Sequence, residues 1–204
     1  MGVRSILGAA GLAVVLAASP ALAQQPQTVR IRGTIEKVDG PNLTIKSRDG
    51  KDLSVKLTDN ARVMGMVKAS LADIKPGSYI GVTGMPQADG SQRAVAIHIF
   101  LESQRGTGEG FRPWDLQPNS TMTNAAVDTS VKSVDGQTLT LKYKGGEKKV
   151  VVPDNTPIVA YAPGDKSEIK PGVHVIIMGA KKNPDGTLET PAINVGRNGL
   201  TPPM

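Results

Sequence analysis

The tetrapeptide Ile-Lys-Pro-Gly occurs twice in this chain, at 74–77 and again at 169–172. It is one point of a longer self-similarity, and an internal repeat constrains a fold more than any local pattern does. Val38-Asp39-Gly40 returns as Val134-Asp135-Gly136, and Leu43-Thr44-Ile45 as Leu139-Thr140-Leu141. Asp59-Asn60 returns as Asp154-Asn155, Asp89-Gly90 as Asp185-Gly186, and Ala96-Ile97 as Ala192-Ile193. The offset stays at 95 or 96, which places Gly33 opposite Thr129. A period this long is too large for a solenoid, so the repeating unit reads as a complete small domain present twice.

Each copy reads as a series of short strands. Val29, Ile31, Gly33 and Ile35 alternate with polar residues, as a half-buried strand requires. Leu43 and Ile45, then Leu53, Val55 and Leu57, continue the alternation after the turn pairs Asp39-Gly40 and Asp49-Gly50. A fourth short strand is expected over Arg62–Met66. Ser70-Leu71-Ala72-Asp73 predicts one capped helical turn, with Asp73 reaching back to the Ser70 end. In IKPG the isoleucine plugs the core, the proline stops the turn and the glycine frees the backbone to enter the next strand. The repeat of IKPG thus has a packing reason. Strands over Tyr79–Met85 and Arg93–Phe100, joined at Asp89-Gly90, close the unit. The expected fold is all-β: two tandem small antiparallel barrels of OB-like shape, each with one short helical turn.

The expected division runs as follows: 1–23 a signal peptide, 28–101 the first barrel, 102–124 a linker, 125–197 the second barrel and 198–204 a flexible tail. The signal peptide rests on Arg4, the apolar run Ile6–Ala18 and the small-x-small Ala21-Leu22-Ala23, with cleavage after Ala23; the other reading is a retained anchor. No later stretch is apolar for long enough to span a bilayer. The expected location is therefore periplasmic or secreted, and not transmembrane after cleavage. With no cysteine, the fold cannot lean on disulfides, and thiolate metal sites and cysteine nucleophiles are excluded. A formal charge of +6 is spread thinly, consistent with an anionic envelope partner such as polysaccharide or lipid, or with a merely solvated surface.

The linker holds Phe111 and Trp114, the latter the only tryptophan. Its Gly-rich start reads as mobile. Phe111, Trp114 and Leu116 either dock between the barrels or form a recognition patch for a partner, because buried aromatic area serves both. No cofactor motif is present. The two histidines, His98 and His174, fall opposite Asn194 and Tyr79, so neither is repeated. No His/Asp/Glu spacing suits zinc, and "GTGEG" at 106–110 lacks the strand and helix of a phosphate loop. Nothing favours a catalytic triad, although triads assemble in space; a hydrolase with an unrecognised site is the third reading. Soft-metal binding is the second. Met64, Met66, Met85 and His98 are the candidate ligands, since thioethers suit Cu(I) and Met64-x-Met66 shares a strand face. Their counterparts Val159 and Tyr161 favour core packing for Met64 and Met66. Nucleic acid is not an expected partner, because stacking aromatics are scarce.

The order G-x-I/V-x-x-V-D-G, L-T-I/L, D/G-G, D-N, I-K-P-G and V-x-G resembles the bacterial family called domain of unknown function 5666. The second copy departs from it at Thr129, where Gly33 stands in the first, so its opening strand is expected to lack a bend. The resemblance implies an exported β-barrel module, often in tandem, with no established activity and no catalytic residues to carry over. Similar chains are sometimes grouped with metal-transport components. The leading expectation is a non-enzymatic binding or scaffolding protein of the cell envelope, engaging an envelope protein, a polysaccharide or a small ligand by the inter-barrel groove and residues 111–116.

Overall fold

The computed structural model describes residues 28–133 and 136–204. The expected leader, its cleavage point, and Val134-Asp135 lie outside the described residues. The described chain forms β1 (Thr28–Asp39), β2 (Asn42–Ser47), β3 (Asp52–Ala69), β4 (Tyr79–Pro86), β5 (Gln92–Ile99) and β6 (Gly110–Pro113). It continues as β7 (Thr121–Ser133), β8 (Gly136–Tyr143), β9 (Gly146–Val152), β10 (Ile158–Pro163), β11 (His174–Lys182) and β12 (Leu188–Gly196). Single 3-10 turns lie at Leu71–Asp73, Glu102–Gln104, Lys166–Glu168 and Arg197–Gly199. No helix among the described residues is long and apolar enough to cross a membrane.

The local chemistry follows the sequence closely. Gly40, Gly50, Gly90 and Gly186 turn with positive φ between strands, the conformation only glycine adopts at no cost. Asp73 accepts bonds from the Ser70 amide and hydroxyl, both at 2.8 Å. The expected third and fourth strands are instead one strand, β3, 18 residues long. In the second half the same stretch is broken into β9 and β10, because Pro153 and Pro157 supply no N–H to a ladder.

The sheet closes on itself twice. β1 pairs with β2, β2 with β3, β3 with β12, β12 with β11, and β11 returns to β1. β7 pairs with β8, β8 with β9, β9 with β5, β5 with β4, and β4 returns to β7. The barrels therefore cut across the expected units 28–101 and 125–197. Each takes three strands from one half of the chain and a closing hairpin from the other half. The cores agree: Ile31, Ile35, Ile45 and Val55 pack with Val175, Ile177 and Ile193, while Leu139, Leu141 and Val150 pack with Ile80, Val82 and Ile97. Between the barrels β10 lies antiparallel to β3 and parallel to β5, with Met66 opposite Tyr161.

IKPG stands where the chain changes barrel. Ile74 is buried in the β7–β9 core and Ile169 in the β1–β3 core. Gly77 and Gly172 follow with φ of 87° and 86°. Gly172 N–H donates to Ile35 O at 2.7 Å, and Gly77 N–H to Val127 O at 2.8 Å. Val127 is thus the structural counterpart of Ile35; constant sequence offset had pointed to Val131, which is 61 % exposed. The bend expected to be missing from the second opening strand is present: register shifts occur between Ile35 and Lys37 and equally between Val127 and Thr129. The extra residues lengthen the β7–β8 hairpin instead.

Two further expectations change. Residues 198–204 do not hang free: Met204 is fully buried with Met66, Val159, Tyr161 and Ile176, and its main-chain oxygen accepts from Arg32 Nε at 2.6 Å. The stretch 102–124 is tied to the sheet throughout, with β6 paired to β7.

Candidate functional site

One row of residues across barrel strands sets the site. Gly81 on β4 lies opposite His98 on β5 and opposite Asn124 on β7. A Cβ at Gly81 would overlap both the His98 ring and the Asn124 amide. The missing side chain lets these two converge on the outer face of the barrel, away from the Ile80 and Val82 core. Phe100, two residues beyond His98, falls on the same face, as strand period dictates. Tyr161 arrives from β10. His98 meets Phe100 edge-on at 4.7 Å and Tyr161 at 5.7 Å, and Phe100 stacks on Tyr161 at 5.4 Å. Such ring geometries each contribute about 1 kcal/mol beyond area burial.

This aromatic face forms one wall of a cavity of about 680 Å³ between the barrels. The other barrel supplies Met64 on β3 and Thr190, Ala192 and Asn194 on β12. The strap between β5 and β7 covers it with Leu101, Gln104, Thr107, Arg112 and Trp114. Met122 and Met178 complete three thioethers in the lining. The strap is held from the wall by Asn124, from β4 by Tyr79 and by its own Arg105. Asn124 Nδ2 donates to Thr107 O at 3.0 Å, Tyr79 Oη to the same oxygen at 3.3 Å, and Arg105 binds Glu102 and Gly77 O.

The electrostatics of the lining are one-sided. Arg62 and Arg112 line the cavity, and among the described residues no Asp or Glu does. His98 adds no charge: burial, with a smaller push from Arg112, lowers its pKa to about 3. Its Nδ1 is buried without a hydrogen-bond partner, as are Asn124 Oδ1 and Trp114 Nε1. Burial alone pushes the Tyr161 phenol up to about 12. Two guanidiniums approach the Trp114 ring, Arg30 at 3.7 Å and Arg112 at 5.5 Å from its centre. Arg30 and Arg32 then share Asp115, at 2.6 and 2.7 Å.

The structure separates the residues that the sequence grouped. Met64 and His98 both face the cavity, but Met66 is fully buried in the inter-barrel cluster. Met85, at the far end of β4 opposite Arg93, is not part of the lining. Trp114 is in the cavity wall, whereas Phe111 is 40 % exposed with Lys148 Nζ 4.6 Å from its ring centre. Among the described residues no group of three His, Cys, Asp or Glu is placed to hold a metal ion. Met122, Met178, Tyr161, Asn124 and Arg112 went unrecognised in the sequence. Arg112, set between the aromatic residues Phe111 and Trp114, was the available signal. Compared with protein-family models, with curated proteins and with solved structures, the chain matches none.

Proposed function

We propose that this chain is an exported, non-enzymatic binding protein of the cell envelope, built from two copies of one OB-like module with exchanged hairpins. The cavity between the barrels takes a small, largely apolar molecule. The cavity itself carries this reading. Its volume lies within the usual range for small-molecule sites, and its wall is aromatic and thioether-rich with a few polar groups, the common make-up of such sites. His98 is packed among the Phe100 and Tyr161 rings and belongs to the aromatic wall. Trp114 makes the test direct, because the chain's single tryptophan lies in the wall. Titration with apolar molecules of ten to fifteen heavy atoms should shift its emission saturably, and Ala192→Phe, which projects a ring into the cavity, should weaken the binding that gives the shift. A wild-type response that persists unchanged in Ala192→Phe would place binding elsewhere.

A second reading is favoured by one observation: three thioethers, Met64, Met122 and Met178, share the cavity with a neutral imidazole. That donor set suits a soft monovalent ion. Cu(I) titration of the wild type against Met64→Leu/Met122→Leu tests it. Equal affinity in both proteins rules the site out.

A further inference from the structure

We propose that the ligand of the inter-barrel cavity is an amphipathic organic anion whose negative head pairs with Arg112. This inference rests on the cavity being a ligand site. It starts from how the chain treats its half-buried arginines. Arg30 and Arg32 hold Asp115, and Arg197 holds Glu168 through two bonds of 2.7 and 2.8 Å. Arg112 is the fourth half-buried arginine, and among the described residues it has no carboxylate partner. Arg112 Nη1 instead donates to Gly108 O at 2.6 Å.

A partly buried cation without a counter-ion is costly, and folded chains avoid it unless something else supplies the charge. Here the cost is compounded. Arg30 lies close enough to Arg112 to disfavour its charged form further, second only to burial. Trp114, close to both guanidiniums, offers a ring face but no negative charge. Arg62 adds a second guanidinium to the same lining, and among the described residues no acidic side chain lines the cavity to balance either one.

The rest of the cavity fixes the remainder of the ligand. Phe100, Tyr161, Met64 and Met122 offer an apolar wall with no use for a second charge. His98, being neutral, neither competes for the anion nor repels the body of the ligand. A carboxylate or similar head on Arg112, with a hydrocarbon or aryl body along the Phe100–Tyr161 face, satisfies both halves of the lining. Planar guanidinium donors are well matched to such heads.

The test uses three probes of one length: decanoate, decanol and decylammonium, titrated calorimetrically into the wild type and into Arg112→Gln and Arg112→Lys. Decanoate should bind the wild type about tenfold or more tighter than decanol, as one charge-assisted bond implies, and decylammonium should bind weakest. Arg112→Gln should bring decanoate and decanol together, and Arg112→Lys should restore part of the preference. Thermal melting of each variant separates loss of binding from loss of fold. Decanol binding as tightly as decanoate in the wild type would overturn the anion assignment while leaving the cavity a ligand site. Binding of none of the three would remove both readings. A decanoate preference unaltered in a folded Arg112→Gln would assign the head to another residue.

Discussion

His98 is where burial, titration and the candidate site meet. Its ring is fully enclosed, its Nδ1 has no partner, and its pKa is lowered from 6.5 to about 3, chiefly by desolvation. An unfolded imidazole takes up a proton near its ordinary value, whereas the folded one resists. The stability linked to the neutral ring is therefore complete above the unfolded value and is lost as the pH falls toward the folded one. Between pH 6.5 and 5 the loss should reach about 2 kcal/mol. Few carboxylates titrate in that window. Denaturant melts at several pH values should show the loss in the wild type and a much flatter profile in His98→Gln. Equal profiles would mean that the ring is accessible to protons when folded. Sequence could flag His98 as unrepeated, but not its environment. That environment needs Gly81 to leave room on one side and Tyr161, 63 positions away along the chain, to close the other.

At the scale of elements, the repeated motif does more than end a helical turn. Each IKPG carries the chain from one barrel into the next, and its glycine adopts left-handed backbone at the crossing. Open space surrounds the position where a Cβ would stand at both Gly77 and Gly172, so substitution there costs only backbone strain. Gly77→Ala and Gly172→Ala should each lower stability by about 1 kcal/mol, with near-equal effects because the two crossings share one geometry. Thermal melts of the two variants check this; a large difference between them would mean that the crossings are not equivalent. The strands, the turns, the capped turn and the IKPG isoleucines were legible because each depends on a few adjacent residues. The merging of two expected strands into β3 was not, since Asp59-Asn60 reads as a break. It holds as strand because β12 pairs alongside, from Leu188 opposite Val55 to Gly196 opposite Met66. The register of β7 was misread for a related reason. Matching Val-Asp-Gly motifs fixed the hairpin end of the strand, but the tie between Val127 and Gly77 fixes its barrel end.

For the whole molecule, two halves that each contain a full set of strands have two ways to close: each on its own hairpin, or each on the other's. Sequence patterns are identical in the two arrangements, so only pairing distinguishes them. The exchanged form explains why the cavity draws on both ends of the chain: β5 crosses to the β7–β9 barrel, β12 to the β1–β3 barrel, and β3, β10 and the strap meet between. Mutual exchange also buries β10 between β3 and β5, which gives the two small cores a shared seam at Met66 and Tyr161. Cross-linking reads the arrangement out, and the cysteine-free chain makes it clean. Thr34 Oγ1 lies 2.9 Å from His174 Nδ1, on facing residues of β1 and β11, close enough for a disulfide between side chains on paired strands. His174 has Tyr79 as its counterpart in the first half. Under mild oxidation, Thr34→Cys/His174→Cys should form an intramolecular disulfide in nearly all molecules with the fold retained, and Thr34→Cys/Tyr79→Cys should not. A quantitative bond in the second pair and none in the first would show each half closing on its own hairpin, and the exchanged barrels would be wrong.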